Sequence, residues 1–279
     1  MEEFDSPFAR HLKREARQLR KHNPFLKQHQ ALDETARQNG FENWRHFTNS
    51  EPTDLSPFIS TIATSWQDDR RRYWSESIQL KHTRALKELY PRSGRRHTVW
   101  QKAWLDESGG SIFIPARLQE EYVAEGDRQR YARERVASIA RYLMFLDATG
   151  LRPSFAWKTA FAGFPEPFRS QMRLPSFDHE KLWRDEEGRY LFSTEPYDER
   201  RLSGWEQLQK VAEARNYDVA MVDWLGMHNP SKSPGYGTRL ILLTHRTRGV
   251  SMSEMLSKLN RLPIQYLPDQ EWQGKTIQL

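Results

Sequence analysis

Residues 181–193 read KLWRDEEGRYLFS, and two apolar runs flank the turn residues Asp185 to Gly188. This pattern predicts a β-hairpin. After it we predict a helix, a strand, a loop, a strand and a last helix, in residues 204–216, 217–224, 226–237, 238–246 and 251–263. Ser251 and Glu254 give the last helix a capping-box start. This order of elements predicts an α+β fold with a mainly antiparallel sheet covered by helices.

A second predicted hairpin lies upstream, in residues 97–117, where two adjacent glycines supply the turn. Its residues repeat the spacing of the later hairpin: Trp104, Asp106, Glu107, Gly109 and Phe113 correspond to Trp183, Asp185, Glu186, Gly188 and Phe192. Ordinary turn chemistry and cross-strand packing explain this match, and we favour that interpretation. The alternative is a duplication that gives the main domain two related halves.

Helical spacing predicts further helices before and after the upstream hairpin. Residues 118–146 are predicted as one long helix. One or two helices are predicted in residues 58–89, where the apolar positions are Phe58, Ile62, Trp66, Trp74, Ile78, Leu86 and Leu89. We therefore predict a basic three-helix module in residues 1–50, a linker and helical segment in residues 51–98, and an α+β main domain in residues 99–279.

The N-terminal module begins with residues 8–22, FARHLKREARQLRKH, which combine apolar residues at helical spacing with a high positive charge. Asn23-Pro24 ends this helix, and residues 26–38 supply a second one. Residues 41–47 then start a third, short helix. The sequence thus predicts a small unit of three helices with a basic outer face.

This basic face is the predicted nucleic-acid-binding surface. Its residues are Arg10, Lys13, Arg14, Arg17, Arg20, Lys21 and, on the third helix, Arg45. Cationic side chains along one helix can neutralise successive phosphates and release counterions. The formal net charge of +6 and the pI near 9.5 favour a nucleic acid over a membrane. A solvated helix face, or a dock for an acidic protein surface, remains the alternative.

We expect backbone contacts in preference to base recognition, because Trp44 and Phe47 of the third helix have the spacing of core residues. Only Arg45, with Asn43 or His46, is expected to face outward there.

Composition excludes several classes of site. The sequence contains no cysteine, so disulfides, zinc–thiolate centres and cysteine nucleophiles are ruled out. It has no signal-peptide pattern and no apolar run near the roughly 20 residues that span a bilayer, so we expect a cytoplasmic protein without a membrane partner. The loop in residues 226–237 lacks the Gly-Lys-Ser/Thr ending of a P-loop. No metal site and no cofactor are predicted.

A candidate polar site in the main domain combines Asp178, His179, Glu195 and His228. Histidines and carboxylates can exchange protons with a substrate or hold a metal. Their spacing matches no metal signature, and turns, a strand end and a loop explain the same residues. If they form an active site, the four side chains must converge in one pocket.

Residues 31–47, ALDETARQNGFENWRHF, together with the basic helix before them, resemble a small N-terminal module of bacterial proteins, some of which are labelled glyoxalase superfamily. The main domain, through DHEKLWRDEEGRYLFSTEPY at 178–197 and DWLGMHNP at 223–230, resembles an uncharacterised bacterial domain-of-unknown-function family. That family is often linked to mobile elements. The resemblance implies a bacterial cytosolic protein and supplies no activity and no catalytic residues.

Three functional hypotheses follow, and the first leads. It is a non-enzymatic nucleic-acid-binding protein that contacts the backbone through the basic helix, while the main domain serves homo-oligomer formation or protein recognition. The second is a protein-interaction factor of a mobile element, such as a defence or counter-defence component. The third is a hydrolase or nuclease that uses the histidine and carboxylate cluster.

Overall fold

The computed structural model describes residues 7–38, 41–49, 58–89, 103–107, 109–115, 127–160, 178–197, 205–233 and 237–279. Over these residues the fold is α+β, with helices packed on mainly antiparallel sheets, as predicted. The predicted linker and the segments around residues 90–102 and 161–177 fall largely or wholly outside them. Among the described helices, none is long and apolar enough to cross a membrane.

The three N-terminal helices are present: α1 (Pro7–His22), α2 (Gln28–Gln38) and α3 (Trp44–Asn49). Leu12, Ala36 and Phe47 form their small buried core. An Asp33 carboxylate oxygen accepts the backbone N–H of Trp44 at 2.9 Å, which caps the start of α3. The three helices are thus joined by an apolar core and a cap.

The first sheet has the order β10-β2-β1-β4-β3, and within it only the β1–β4 pair is parallel. Its strands are β1 (Phe58–Gln67), β2 (Tyr73–His82), β3 (Trp104–Leu105), β4 (Ser111–Ile114) and β10 (Lys275–Gln278). The predicted hairpin of β3 and β4 is confirmed. A short helix, α4 (Leu86–Leu89), follows β2.

The helices predicted in residues 58–82 are wrong, because this segment forms the antiparallel pair β1–β2. Positions four apart share a face in a strand as well as in a helix, so the apolar spacing fits both. Buried polar residues on the inward face, Ser60, Thr64 and Glu76, conceal the alternation that marks a strand. The segment after Asp68 is the turn of the hairpin.

Asp68 folds that turn. Its carboxylate accepts the backbone N–H groups of Arg70 and Arg72 at 2.9 Å each and the indole N–H of Trp74 at 3.0 Å. Burial raises the pKa of Asp68, but these donors and the Arg72 guanidinium lower it by more. The net shift of the pKa is therefore downward. The ionised carboxylate therefore stabilises the turn.

The second sheet is antiparallel throughout, in the order β5-β6-β7-β9-β8. Its strands are β5 (Arg152–Ser154), β6 (Lys181–Arg184), β7 (Tyr190–Thr194), β8 (Tyr217–Met221) and β9 (Ile241–His245). The helices near it are α6 (Trp157–Ala160), α7 (Trp205–Ala214) and α8 (Met252–Leu259). The predicted hairpin, strands and helices of residues 181–263 are confirmed, and Ser251 caps α8 by accepting the Glu254 N–H at 3.3 Å.

Helix α5 (Arg128–Thr149) belongs to a core shared with both sheets. Its Phe145 and Tyr142 rings pack on Trp183 of β6, with centroids 4.5 and 5.4 Å away. Ile62 and Ile78 of the first sheet lie in the same apolar cluster. The predicted long helix is therefore confirmed from Arg128 onward, and residues 118–126 lie outside the described part of the chain.

The two hairpins share turn chemistry and differ in register. In both, an aspartate carboxylate accepts N–H groups across the turn, and a glycine has positive φ (73° at Gly109, 86° at Gly188). Trp104 lies opposite Phe113, whereas the corresponding Trp183 lies opposite Leu191. Turn chemistry therefore accounts for the matching aspartates and glycines, and a duplication remains the alternative.

Candidate functional site

Helix α1 carries its cations on one side. At about 100° per residue, the six lysine and arginine positions from Arg10 to Lys21 fall within an arc of roughly 120°. Leu12 and Ala16, which are fully buried, lie on the other side of the helix. The stripe is roughly 16 Å long at 1.5 Å per residue. The helix therefore separates a core face from a basic face.

Most of these cations are exposed. Arg14, Arg17, Arg20 and Lys21 are exposed, while Lys13 is half-buried. Arg14 lies 3.5 Å from Glu88, an exposed ion pair of the kind that contributes little stability. The basic face is thus accessible to a partner.

The remaining predicted cation, Arg45, is exposed on α3 and therefore lies on a different helix from the stripe. Its neighbours serve the fold: Asn43 accepts the N–H of His46 at 2.8 Å, and His46 accepts the N–H of Glu42 at 3.2 Å. Phe47 is buried. The side chains beside Arg45 thus hold the start of α3, and Phe47 is a core residue, as its spacing predicts.

The second predicted site also assembles, because residues 178–179, Glu195 and the loop at His228 meet at the start of β6. The rings of His179 and His228 stack with centroids 3.3 Å apart. An Asp178 carboxylate oxygen lies 3.4 Å from Nε2 of His179. The Glu195 carboxylate accepts the backbone N–H of His228 at 2.7 Å. The four residues are therefore neighbours, but Glu195 joins the group through the backbone of the His228 loop, and none of the four lines the cavity described below.

Glu195 is completely buried and positions the loop. One carboxylate oxygen lies 3.0 Å from Nζ of Lys181, and the other accepts the N–H groups of Met227 and His228 at 2.6 and 2.7 Å. Burial raises the pKa of Glu195, but the Lys181 charge and the N–H donors outweigh it and lower the pKa. With these contacts Glu195 stays ionised and acts through the loop that it holds.

Gly226 lets the loop approach this carboxylate. Its φ of 116° lies in the region that favours glycine, and a Cβ there would lie 2.6 Å from a Glu195 oxygen. A side chain at this position would therefore push the loop away from Glu195.

Arg141, from α5, holds the same loop from its carbonyl side. It is buried and donates to the carbonyl oxygens of His228 at 2.8 Å, Met227 at 3.2 Å and Tyr266. Burial lowers the pKa of Arg141 to about 10, so it remains charged at neutral pH. We did not select Arg141 or Lys181 from the sequence. For Arg141, the sequence signal of a buried charge is its position inside the apolar helical run of residues 136–146.

The two histidines are neutral at neutral pH. Burial lowers the pKa of both, and the neighbouring His179 helps to lower that of His228 to about 4. His179 also has a φ of 52°, uncommon outside glycine. A neutral imidazole can accept a proton, so the pair offers general-base chemistry. No group of three metal-ligating side chains is arranged around a common point within the described ranges.

A cavity of about 210 Å³ lies elsewhere, on the other face of the second sheet, where Leu182, Tyr217 and Leu243 line it. Side chains of β6 alternate, so Leu182 faces this cavity whereas Lys181 and Trp183 face the opposite side. The histidine cluster and the cavity are therefore separate features.

Comparison of the chain with protein-family models, curated proteins and solved structures gave no match.

Proposed function

We propose that this protein binds nucleic acid through phosphate contacts on the basic face of α1. The observation that carries the proposal is the confinement of six cations to one arc of a helix whose other side is buried. A stripe of this kind can follow a row of phosphates, and the release of their counterions drives binding without regard to sequence.

The adjoining sequence supports the same partner. From Ala16 to Leu32 the chain contains four lysines and arginines and no acid, so the positive potential continues into the start of α2. An acidic protein surface, as expected for an interaction factor of a mobile element, is the competing partner. Competition with free DNA distinguishes the nucleic acid from the acidic protein, because free DNA should displace a ligand only from the phosphate site that the DNA itself occupies.

The test compares two full-length variants that each remove three positive charges. One carries R10Q, R17Q and K21Q, which lie near the centre of the arc of roughly 120° and run from the first cation of the stripe to the last. The matched control carries K81Q, K210Q and K232Q at exposed positions elsewhere. Binding to labelled duplex and single-stranded DNA and RNA is measured across a salt series by fluorescence anisotropy.

We expect the stripe variant to bind more weakly and to lower the steepness of log K against log salt by about 2 to 3, because each phosphate contact contributes about 0.9. The control should resemble the wild type. Equal losses in both variants would indicate an effect of net charge alone. No binding by the wild type would overturn the proposal and direct attention to an acidic protein.

Convergence of the predicted polar residues favours a second candidate, hydrolysis of a phosphodiester at His179 and His228. In this proposal one neutral imidazole takes a proton from the attacking water as the water oxygen bonds to phosphorus, the P–O bond to the leaving oxygen breaks, and that proton passes to the leaving oxygen. Asp178 orients the His179 ring. Glu195 and Arg141 act as positioning residues, because they touch the loop backbone instead of a substrate.

Labelled RNA and DNA test this candidate. Cleavage by the wild type should be lost in H179Q and H228Q and kept in the control H29Q, whose histidine is exposed on α2. The rate should fall as the pH drops below the pKa of the base. Cleavage that survives both histidine substitutions would exclude the cluster as the active site.

A further inference from the structure

Phe25 is the most exposed large apolar side chain among the described residues. It is 95% exposed, compared with 71% for the next, Leu279. It lies in the turn between α1 and α2, directly after Asn23-Pro24. A ring in this position contributes almost nothing to the apolar core, so its whole face is open to a ligand.

The turn holds this ring on an ordered backbone. The Leu26 N–H donates to the Asn23 carbonyl at 3.1 Å. The Arg20 guanidinium donates to the Leu26 carbonyl at 3.3 Å and to the Gln28 side chain at 2.6 Å. Pro24 fixes its own φ. The backbone of the turn is therefore already ordered, and it loses little freedom when a ligand covers the Phe25 ring.

Cationic residues precede and follow Phe25 along the chain. Arg17 and Lys21 precede it on the stripe of α1, and Lys27 follows it, all three exposed. Their positive charge would hold a phosphate backbone beside the turn, with the bases within reach of Phe25. Exposed rings next to basic grooves are the means by which proteins bind single strands, since every base has a face that can stack.

We infer that Phe25 stacks on an unpaired nucleobase and gives the basic face a preference for single-stranded nucleic acid. This inference rests on the proposed function, since the phosphate contacts of α1 deliver the strand to the ring. The binding free energy then has two parts. The phosphate contacts weaken strongly as salt rises, whereas the stacking of Phe25 on a base is insensitive to salt.

Two single strands of equal length and charge test the inference: an oligothymidylate and the corresponding abasic strand, which has the phosphates and sugars without bases. Full-length wild type, F25A and F25L are compared at several salt concentrations. The wild type should bind the oligothymidylate about 5- to 150-fold more tightly than the abasic strand. Both variants should lose this preference while their salt dependence stays unchanged.

The outcomes separate the two proposals. Absence of binding to both strands overturns the inference, and it overturns the proposed function as well if labelled duplex DNA and RNA are also left unbound. Binding of the wild type without preference, or a preference that survives in F25A, overturns the stacking role alone. An equal loss on both strands assigns Phe25 to the backbone-binding face. Phe25-dependent binding to phosphatidylglycerol vesicles without binding to the strands would assign it to a lipid surface, and would also overturn the inference.

Discussion

Helix α1 and the loop around His228 both depend on charged side chains, but they place them in opposite surroundings. On α1, cations such as Arg17 and Lys21 are exposed. Behind the loop, Glu195, Lys181 and Arg141 are buried and bonded to each other or to the backbone. Buried charges must be satisfied within the chain, whereas exposed ones remain available to a partner. The comparison therefore predicts different costs for changes in the two regions.

Glu195→Gln should produce the largest effect. The change removes the partner of the buried Lys181 ammonium and weakens the acceptor of two N–H groups. Breaking a buried pair in this way costs about 3 to 5 kcal/mol in the free energy of unfolding. Urea denaturation followed by circular dichroism measures it, with the exposed Glu186→Gln as control. A loss below about 1 kcal/mol would contradict the role assigned to Glu195.

Gly226→Ala should come next, at about 2 to 3 kcal/mol, because alanine is strained at this φ and its Cβ would meet the Glu195 carboxylate. The control is Gly150→Ala, where φ is also positive, at 75°, but no atom lies within 4 Å of the added Cβ. Similar losses in both variants would show that backbone strain alone, without the carboxylate contact, explains the result.

Acid should weaken the histidine loop. The folded pKa of His228 is lowered to about 4, while the unfolded value is 6.5. Between these values the unfolded chain binds more protons, so this contribution is complete above about pH 6.5 and declines as the pH falls. The expected loss between pH 7 and about 4.5 is on the order of 2 kcal/mol.

Urea midpoints at the two pH values measure this dependence. The pKa values of Glu195 and Asp68 are lowered, so protonation removes their stabilising contribution only at more acid pH. The comparison with His228→Gln isolates the loop, because the variant should lose part of the slope. An unchanged slope would assign the acid sensitivity to other groups.

The triple variant R10Q, R17Q and K21Q should change stability least, within about 0.5 kcal/mol of the wild type. Exposed charges such as those of Arg17 and Lys21 contribute little to folding, and removal of like charges from one helix face offsets the loss of any weak pairing. Thermal unfolding in the absence of ligand measures this. A large loss would place the stripe in the folding of the module and weaken the case for a binding surface.

The sequence predicted much of this architecture and missed one sheet region for a definable reason. Turn residues and a capping box marked the hairpins and α8 because these signals are local. In β1 and β2 the inward polar residues Ser60, Thr64 and Glu76 removed the apolar alternation. The β-branched residues of β1 were the signal that favoured a strand.

For the histidine site, the sequence supplied the candidates without their supports. His179 and His228 are recognisable as polar residues beside predicted turns. Arg141 lies 87 positions from His228, and such a contact leaves no local pattern. The roles of Glu195 and Arg141 in holding the loop therefore required the structure.

Glu76 accepts a hydrogen bond at 2.7 Å from Thr276 of β10, which lies 200 positions further along the chain. Strand β2 therefore acquires its outer neighbour only after nearly all other elements have been synthesised. Closing so long a loop costs entropy before any pairing is gained, and contacts of this kind slow folding. We expect the first sheet to be the late step of folding, with β2 the strand most exposed to mispairing until β10 reaches it.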